Sequence, residues 1–368
     1  MSESVETQQN RGQALTLPQT APVPQNRSRA EKPITRKQKL LLLAASFSFC
    51  FLLAILGEVI CRLCLDIQIQ GNTRELFVAD AFGETMGYKK NSTGVSFGAN
   101  VWTDGNGFRF SPGTDEKPGK PGLLILGDSV GFGCGVEEPH TFAGLLRNAM
   151  PDTTVYNSSV IGYALPDYRN VVRHFLPDHP EINKVYLSFC VNDVSNTSAT
   201  QIEKFLRGAS DHDPIGKFKA LPVIREVHRF LRSRSKLYVG LKNLLTNSSE
   251  RYFRKELPLY AVDDQTFSGL MQPALDIAQE LKERGIEFTI VLAPCQPQVH
   301  SVDPEVAVPQ RKVAEFCASH QIRCIDPMSS FRAFSGNSSK LYLGGDAMHF
   351  SAAGHRLYFE FLMQHVQH

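Results

Sequence analysis

The sequence has 368 residues and a nearly balanced charge, with 39 Lys and Arg against 37 Asp and Glu and a net charge of +2. Hydrophobic residues make up 42% and charged residues 21% of the chain, which excludes a disordered chain, a collagen-like repeat and a protein with many membrane spans. The balanced charge also gives no electrostatic footprint for nucleic acid, so no nucleic-acid partner is expected.

The first 39 residues form a polar segment rich in Gln, Pro, Thr, Ser and Asn. Such a composition buries too little apolar surface to offset the entropy cost of ordering the chain, so we expect a disordered tail over residues 1–39. The tail holds seven basic and three acidic residues, a net charge of +4, so the rest of the chain carries a net charge of −2.

An uncharged apolar run, LLLLAASFSFCFLLAILG, occupies residues 40–57. Its 18 residues approach the roughly 20 that span the hydrocarbon of a bilayer, and the apolar residues after Glu58 extend it to residue 61. A buried core helix would show a polar stripe, and a signal peptide would have a short basic region before it and a small-residue cleavage site after it. Neither pattern is present, so we expect an uncleaved transmembrane anchor over residues 40–61.

The basic residues that flank the apolar run predict its orientation. They cluster before it, between Arg27 and Lys39, whereas only Arg62 and Arg74 follow closely after it. The positive-inside rule places such a tail in the cytoplasm. The sequence therefore predicts a single-pass membrane protein with an extracytoplasmic main domain, in a periplasm or a lumen.

Beyond residue 66 the pattern alternates between short apolar runs and amphipathic helices, which predicts an α/β protein with a three-layer α/β/α, doubly wound parallel sheet. The predicted strands lie at 122–126, 154–156, 185–190, 288–292 and 322–325. The predicted helices lie at 141–150, 168–176, 266–284 and 309–320, with a final helix from 351. In such sheets the functional residues collect beyond the carboxyl ends of the strands.

Four segments hold residues suited to acyl-transfer chemistry, three of them after predicted strands and one just before the final helix. Ser129 follows the first strand in a Gly-Asp-Ser turn, and Asp346 precedes His349 by three residues, a spacing at which the carboxylate can hold the imidazole Nδ1–H. Gly162 and Asn192 follow the second and third strands and could donate hydrogen bonds to an oxyanion. Taken alone, each has a simpler interpretation as a helix cap or a turn residue.

These blocks, LILGDSVGFGCGV, NSSVIGY, CVNDV and DAMHFSAAGH, resemble the four sequence blocks of the SGNH hydrolases, also called GDSL-type esterases and lipases. The resemblance covers about residues 105–365 and implies a flavodoxin-like sheet. It implies Ser129 as the nucleophile, His349 as the general base and Asp346 as the residue that orients it. It also implies an oxyanion hole formed by the N–H groups of Ser129 and Gly162 and the amide of Asn192. The stretch TDGNGFRF is similar to the lead-in of membrane-anchored members.

The block that contains Asn192 departs from the family pattern at one position. Cys190 stands where the family often has a glycine, which could narrow the pocket but removes no catalytic group.

The resemblance implies a reaction through a covalent acyl-enzyme, and we expect the substrates to be O-acyl (acetyl) groups of a glycan or lipid. It does not indicate which acceptor then takes the acyl group from the enzyme. Water would make the protein an esterase. A sugar hydroxyl would make it an O-acyltransferase that modifies an envelope glycan and takes its acyl group from a membrane partner. A non-catalytic glycan-binding module is disfavoured because every catalytic position is filled.

Other polar and thiol groups are expected to be structural. Asp128, Asp193 and His355 lie beside the motifs, and we assign them capping or packing roles. The eight cysteines show no metal-ligand spacing, so no metal and no cofactor are expected. A disulfide between Cys317 and Cys324 is one alternative, and buried free thiols are favoured over it.

A basic insertion separates the third and fourth strands. Residues 195–256 hold thirteen basic and six acidic residues, a net charge of +7, with apolar positions on one helical face. We expect either a cap or membrane-surface helix, or a helix packed on the domain with a solvated basic face. The predicted organisation is thus a tail at 1–39, an anchor at 40–61, a lead-in at 62–104 and the hydrolase-like domain at 105–368.

Overall fold

The computed structural model describes residues 35–114, 117, 119–195, 222–246, 248–346 and 348–366. Most of the predicted tail, and residues 196–221 of the predicted insertion, lie outside the described residues. The chain divides into two compact units, one up to Leu52 and one from Leu53 onward, and the first helix runs from one into the other.

This first helix, α1 (Arg36–Cys64), has 29 residues and contains the predicted apolar run. In the described part of the chain it is the one helix that is long and apolar enough to cross a membrane, and none of its most apolar 18 residues is buried. Large side chains such as Leu41 and Phe47 are each 73% exposed. A helix with this much exposed apolar surface is unlike the core helix of a globular domain.

Two small antiparallel sheets follow, and all their strands except the last lie within the predicted lead-in at 62–104. One pairs β1 (Phe77–Phe82) with β2 (Thr85–Tyr88). The other joins β3 (Thr93–Ser96), β4 (Ala99–Thr103) and β5 (Arg109–Phe110). Their apolar side chains belong to the same hydrophobic core as the main sheet. The lead-in is therefore packed into the domain and is more than a linker.

The main sheet has five parallel strands in the order β10-β9-β8-β6-β7, which confirms the predicted doubly wound sheet. The strands are β6 (Gly122–Gly127), β7 (Thr154–Asn157), β8 (Ile182–Phe189), β9 (Glu287–Leu292) and β10 (Arg323–Ile325). The chain leaves β6 for β7 on one side and then crosses to β8 on the other side. This reversal puts the topological switch point at the carboxyl end of β6, where α/β proteins bind their ligands.

Helices connect the strands and cover the sheet. The first three are α2 (Ser129–Phe132), α3 (Phe142–Ala149) and α4 (Leu165–Phe175). Between β8 and β9 lie α5 (Pro222–Arg234), α6 (Lys236–Thr246), α7 (Ser248–Glu256), α8 (Asp264–Leu270) and α9 (Gln272–Glu283). The last four are α10 (Gln296–His300), α11 (Val308–Ser319), α12 (Met328–Arg332) and α13 (Ala352–Val366). Contacts of α3 with α13, and of α4 with α9, form the two helical layers.

Two predicted helical segments are divided in the structure. The single helix expected over 266–284 is two helices, because Pro273 at the start of α9 has no N–H to continue the helical hydrogen bonds of α8. The described part of the basic insertion forms three helices, α5 to α7, rather than one. Both differences leave the order of the strands unchanged.

Candidate active site

Ser129 lies where the central strand β6 ends. Every residue of β6 is buried, and the chain then turns at Asp128, whose carboxylate accepts a hydrogen bond from the Val130 N–H at 2.8 Å. Asp128 is therefore the N-cap of α2, and Ser129 is the first residue of that helix. The turn leaves the Ser129 side chain half-buried at the edge of the sheet.

The three residues predicted to form a catalytic triad lie in one hydrogen-bonded row. Nε2 of His349 is 2.8 Å from Oγ of Ser129, although the two residues are 220 positions apart in the sequence. Nδ1 of His349 is 2.6 Å from Oδ2 of Asp346. Oδ1 of Asp346 accepts hydrogen bonds from the N–H of Met348 at 2.9 Å and from the N–H of His349 at 3.2 Å. Both oxygens of this carboxylate are thus engaged within its own turn.

The ionisation states follow from this arrangement. Burial alone would raise the pKa of Asp346, but the charge of His349 and the hydrogen bonds from His349 and Met348 outweigh it and hold the pKa below its usual value. Burial would lower the pKa of His349, but the charge and hydrogen bond of Asp346 raise it above the usual value near 6.5. An ionised Asp346 only accepts, so Nδ1 of His349 holds the proton and Nε2 is free to accept one from Ser129.

Asn192 and Gly162, the predicted oxyanion donors, follow the two strands that flank β6. Nδ2 of Asn192 donates to Oδ2 of Asp128 at 3.0 Å, which places the amide next to the residue before Ser129. This bond uses one of the two amide hydrogens and leaves the other available. Gly162 adopts φ +90°, a conformation that favours glycine. Its N–H has no hydrogen-bond partner among the residues that the structure describes.

The groups predicted to be structural are buried, and each makes at least one hydrogen bond. Asp193 accepts from the Tyr168 hydroxyl at 2.9 Å and the Cys190 N–H at 2.8 Å, and burial raises its pKa well above the usual value. Nδ1 of His355 accepts from the Phe142 N–H at 3.3 Å. Burial lowers the pKa of His355 to about 3, so this imidazole is neutral.

The thiols carry no cross-link. All eight cysteines are free, Cys317 and Cys324 included. Cys190, the departure from the family pattern, is buried in the main core. In the described ranges no group of His, Cys, Asp and Glu could hold a metal ion.

Two further residues, outside the predicted site, support it in the structure. The Phe97 ring lies 5.2 Å from the His349 ring. The fully buried Arg109 guanidinium donates to the carbonyls of Phe132 at 2.6 Å, Gly133 at 2.7 Å and Val136 at 2.5 Å. It thereby fixes the loop after the nucleophile. The TDGNGFRF stretch contains Arg109, whereas no motif in the sequence points to Phe97.

Two segments outside the predicted motifs also hold the turn that carries Asp346 and His349. The N–H of Gln68, just after α1, donates to the carbonyl of Gly344 at 3.2 Å. The amide of Asn243, on α6 of the insertion, donates to the carbonyl of Gly345 at 2.8 Å. The insertion is therefore in direct contact with the turn that bears the candidate base.

No family model and no curated protein match the chain. Solved structures are similar to it at low identity. TesA is 13% identical with a TM-score of 0.41, over 67% of this chain and 98% of TesA. A putative G-D-S-L family lipolytic protein from Desulfitobacterium hafniense is 11% identical with a TM-score of 0.39, over 67% of this chain and 99% of that one. A lipase/acylhydrolase from Enterococcus faecalis is 12% identical with a TM-score of 0.40, over 67% and 95%. The fold assignment rests on the strand order of this chain itself.

Proposed function

We propose that the protein is a serine-dependent carboxylic-ester hydrolase of the SGNH type. The observation that carries this proposal is the hydrogen-bonded row from Asp346 through His349 to Ser129, with distances of 2.6 and 2.8 Å. A carboxylate, an imidazole and a serine hydroxyl in this order form the arrangement that activates a serine for acyl transfer. The row sits at the switch point of the sheet, where ligands of α/β proteins bind.

In the proposed reaction, Nε2 of His349 takes the Ser129 proton as Oγ attacks the carbonyl carbon of an ester. The resulting oxyanion accepts hydrogen bonds from the N–H groups of Ser129 and Gly162 and from the second amide hydrogen of Asn192. Collapse of the tetrahedral intermediate breaks the ester C–O bond, and the leaving alkoxide takes the proton from His349. Water then attacks the acyl-enzyme with His349 again as base, releasing the acid and restoring Ser129.

We propose O-acyl, and especially acetyl, groups of a glycan or lipid as the substrate class. We also propose that α1 is a single membrane span, with the tail at 1–39 in the cytoplasm and the catalytic domain outside. The exposed apolar surface of α1 and the basic residues before it support this topology. Reporter fusions at residue 35 and after residue 366 would give opposite compartments if the topology holds.

Hydrolysis of p-nitrophenyl acetate by the full chain in a neutral detergent tests the catalytic proposal. We expect Ser129→Ala to reduce the rate to the uncatalysed background. Ser319→Ala serves as the matched control, because its hydroxyl makes local hydrogen bonds with the Phe316 carbonyl and with Nδ1 of His320 at the end of α11, away from the candidate site. Equal activity in Ser129→Ala and the wild type would exclude the serine mechanism. Adding an oligosaccharide acceptor, and looking for an acylated product, then separates hydrolysis from acyl transfer.

A further inference from the structure

A basic cavity of about 930 Å³ lies beside the candidate active site. Its walls come from the last turn of α1, the segment from Ile69 to Phe77, the turn between β3 and β4, and the end of α5. One acidic side chain, Glu75, lines it, and five arginines line it. These are Arg62, Arg74, Arg229, Arg232 and Arg234.

Two of the five arginines pair with acids that lie outside the cavity lining. Glu58 pairs with Arg62 at 2.7 Å and Glu226 with Arg229 at 2.6 Å, and neither acid lines the cavity. Partial burial lowers the pKa of Arg74, and the like charge of Arg229 is the second cause of this shift. Arginines that repel one another around a common space create a positive potential that favours an anion.

Arg232 has too few hydrogen-bond acceptors for its guanidinium N–H groups among the described residues. Its Nη2 donates to Oε1 of Gln70 at 3.0 Å, but its buried Nε has no hydrogen-bond partner among the described residues. Burial lowers the pKa of Arg232, and the charge of Asp346 opposes that shift. A buried guanidinium N–H without an acceptor is costly, so an anionic ligand at this position would relieve it.

The cavity also adjoins both the candidate active site and the end of α1. Phe97 lines it, and the same ring packs against His349. Glu58 of α1 accepts hydrogen bonds from the Ser235 hydroxyl at 2.8 Å and from the N–H of Leu237 at 2.9 Å, which fixes the start of α6 to the end of the apolar run. On α5, Val227 and Phe230 are 52% and 58% exposed beside the arginines. Apolar side chains next to basic ones suit the headgroup region of a bilayer.

We propose that this arginine cavity binds a phosphate group, supplied by the headgroup of a membrane lipid. Guanidinium groups bind phosphate oxygens in a bidentate manner, and several of them around one space match a phosphate ester better than a single carboxylate. The lipid source rests on α1 being the membrane span proposed above. The site itself does not depend on the proposed hydrolysis, since binding is measured without turnover.

Calorimetric titration of the full chain in a neutral detergent tests the site. The probes are dihexanoyl-phosphatidylglycerol, glycerol 3-phosphate and the uncharged dihexanoylglycerol. We expect the phospholipid to bind most tightly and the uncharged lipid not to bind. The triple variant Arg74→Gln/Arg229→Gln/Arg234→Gln should weaken phospholipid binding by about 1,000-fold, since each of the three charge-assisted bonds accounts for about tenfold. Arg311→Gln is the control, because Arg311 is 59% exposed on α11, lies 3.8 Å from Glu315 and does not line the cavity.

A second measurement uses the unaltered protein and so does not depend on the folding of variants. Phenylglyoxal modifies accessible arginines, and peptide mass spectrometry locates the products. The phospholipid should protect Arg229 and Arg234 but not Arg311. Equal affinity for glycerol 3-phosphate, with the same arginine dependence, would support the site with a soluble phosphate ester as its ligand. The proposal would be overturned if the phospholipid did not bind. It would also be overturned if the triple variant bound it as tightly as the wild type and Arg229 and Arg234 were not protected.

Discussion

Replacing Asp346 by Asn tests how the carboxylate sets the proton on His349. In the wild type, Oδ1 accepts the N–H groups of Met348 and His349, and Oδ2 accepts the imidazole proton at 2.6 Å. An asparagine that keeps its oxygen toward the two backbone N–H groups must point its NH₂ at Nδ1. Nδ1 then has to accept, its proton moves to Nε2, and His349 can no longer take the proton of Ser129.

The magnitude follows from the cost of the alternative orientation. Turning the amide around restores the working tautomer but leaves two backbone N–H groups facing an NH₂. At about 1–3 kcal/mol for each lost bond, this costs roughly 2–6 kcal/mol, so the active form falls by about 30-fold to 10⁴-fold. The same exchange in serine proteases lowers turnover by about 10⁴-fold, at the upper end of this range.

The assay is p-nitrophenyl acetate turnover by Asp346→Asn, with Asp326→Asn as the matched control. Oδ1 of Asp326 accepts the N–H of Met328 at 2.9 Å, the same local bond, and Asp326 has no hydrogen bond to a histidine among the described residues. We expect a loss of at least 30-fold in kcat for Asp346→Asn and less than a twofold change for Asp326→Asn. Activity of Asp346→Asn within threefold of the wild type would refute the tautomer argument.

Three further results are expected. Because Asp346 raises the pKa of His349, the rate should rise through a pKa above 6.5 as the base loses its proton, and a pH–rate profile with its ascending limb below pH 6 would contradict this. Asn192→Ala should lower kcat by about 10²–10³-fold with little change in KM, whereas Asn170→Ala, whose amide only donates to Thr85 in the structure, should not. Arg109→Met should lower the free energy of unfolding by about 3–5 kcal/mol, because three buried carbonyls lose a charged donor. Urea unfolding would measure the change, and a loss below 1 kcal/mol would disagree.

The main sheet could be predicted because its strands are continuous apolar runs. Residues 122–126 are bounded by a glycine and followed by Asp128, a residue that readily caps a helix, so both the strand and the exposed Ser129 could be inferred locally. The proximity of Asp346 to His349 followed from a spacing of three residues within one turn. Each of these features is determined within a short stretch of sequence, so the residues of that stretch are sufficient to predict it.

The lead-in sheets could not be predicted in the same way. Their strands are short and partly exposed, and non-glycine residues such as Asp80 and Phe97 adopt positive φ, which no sequence pattern indicates. The contact between Phe97 and His349 joins residues far apart in the chain, so only the folded structure brings them together. Pro273 is a residue that ends helices, but the apolar pattern continues across it. The pattern therefore predicts one helix where the structure has two.

Labelling with a fluorophosphonate ester tests the central claim most directly, because such reagents phosphonylate a serine only when its hydroxyl is activated as a nucleophile. The full chain in neutral detergent would be treated, digested and mapped by mass spectrometry. We predict one adduct per chain, on Ser129, that is absent from Ser129→Ala and much slower to form in His349→Ala. Labelling of a different residue, or p-nitrophenyl acetate turnover that survives complete modification of Ser129, would contradict the account.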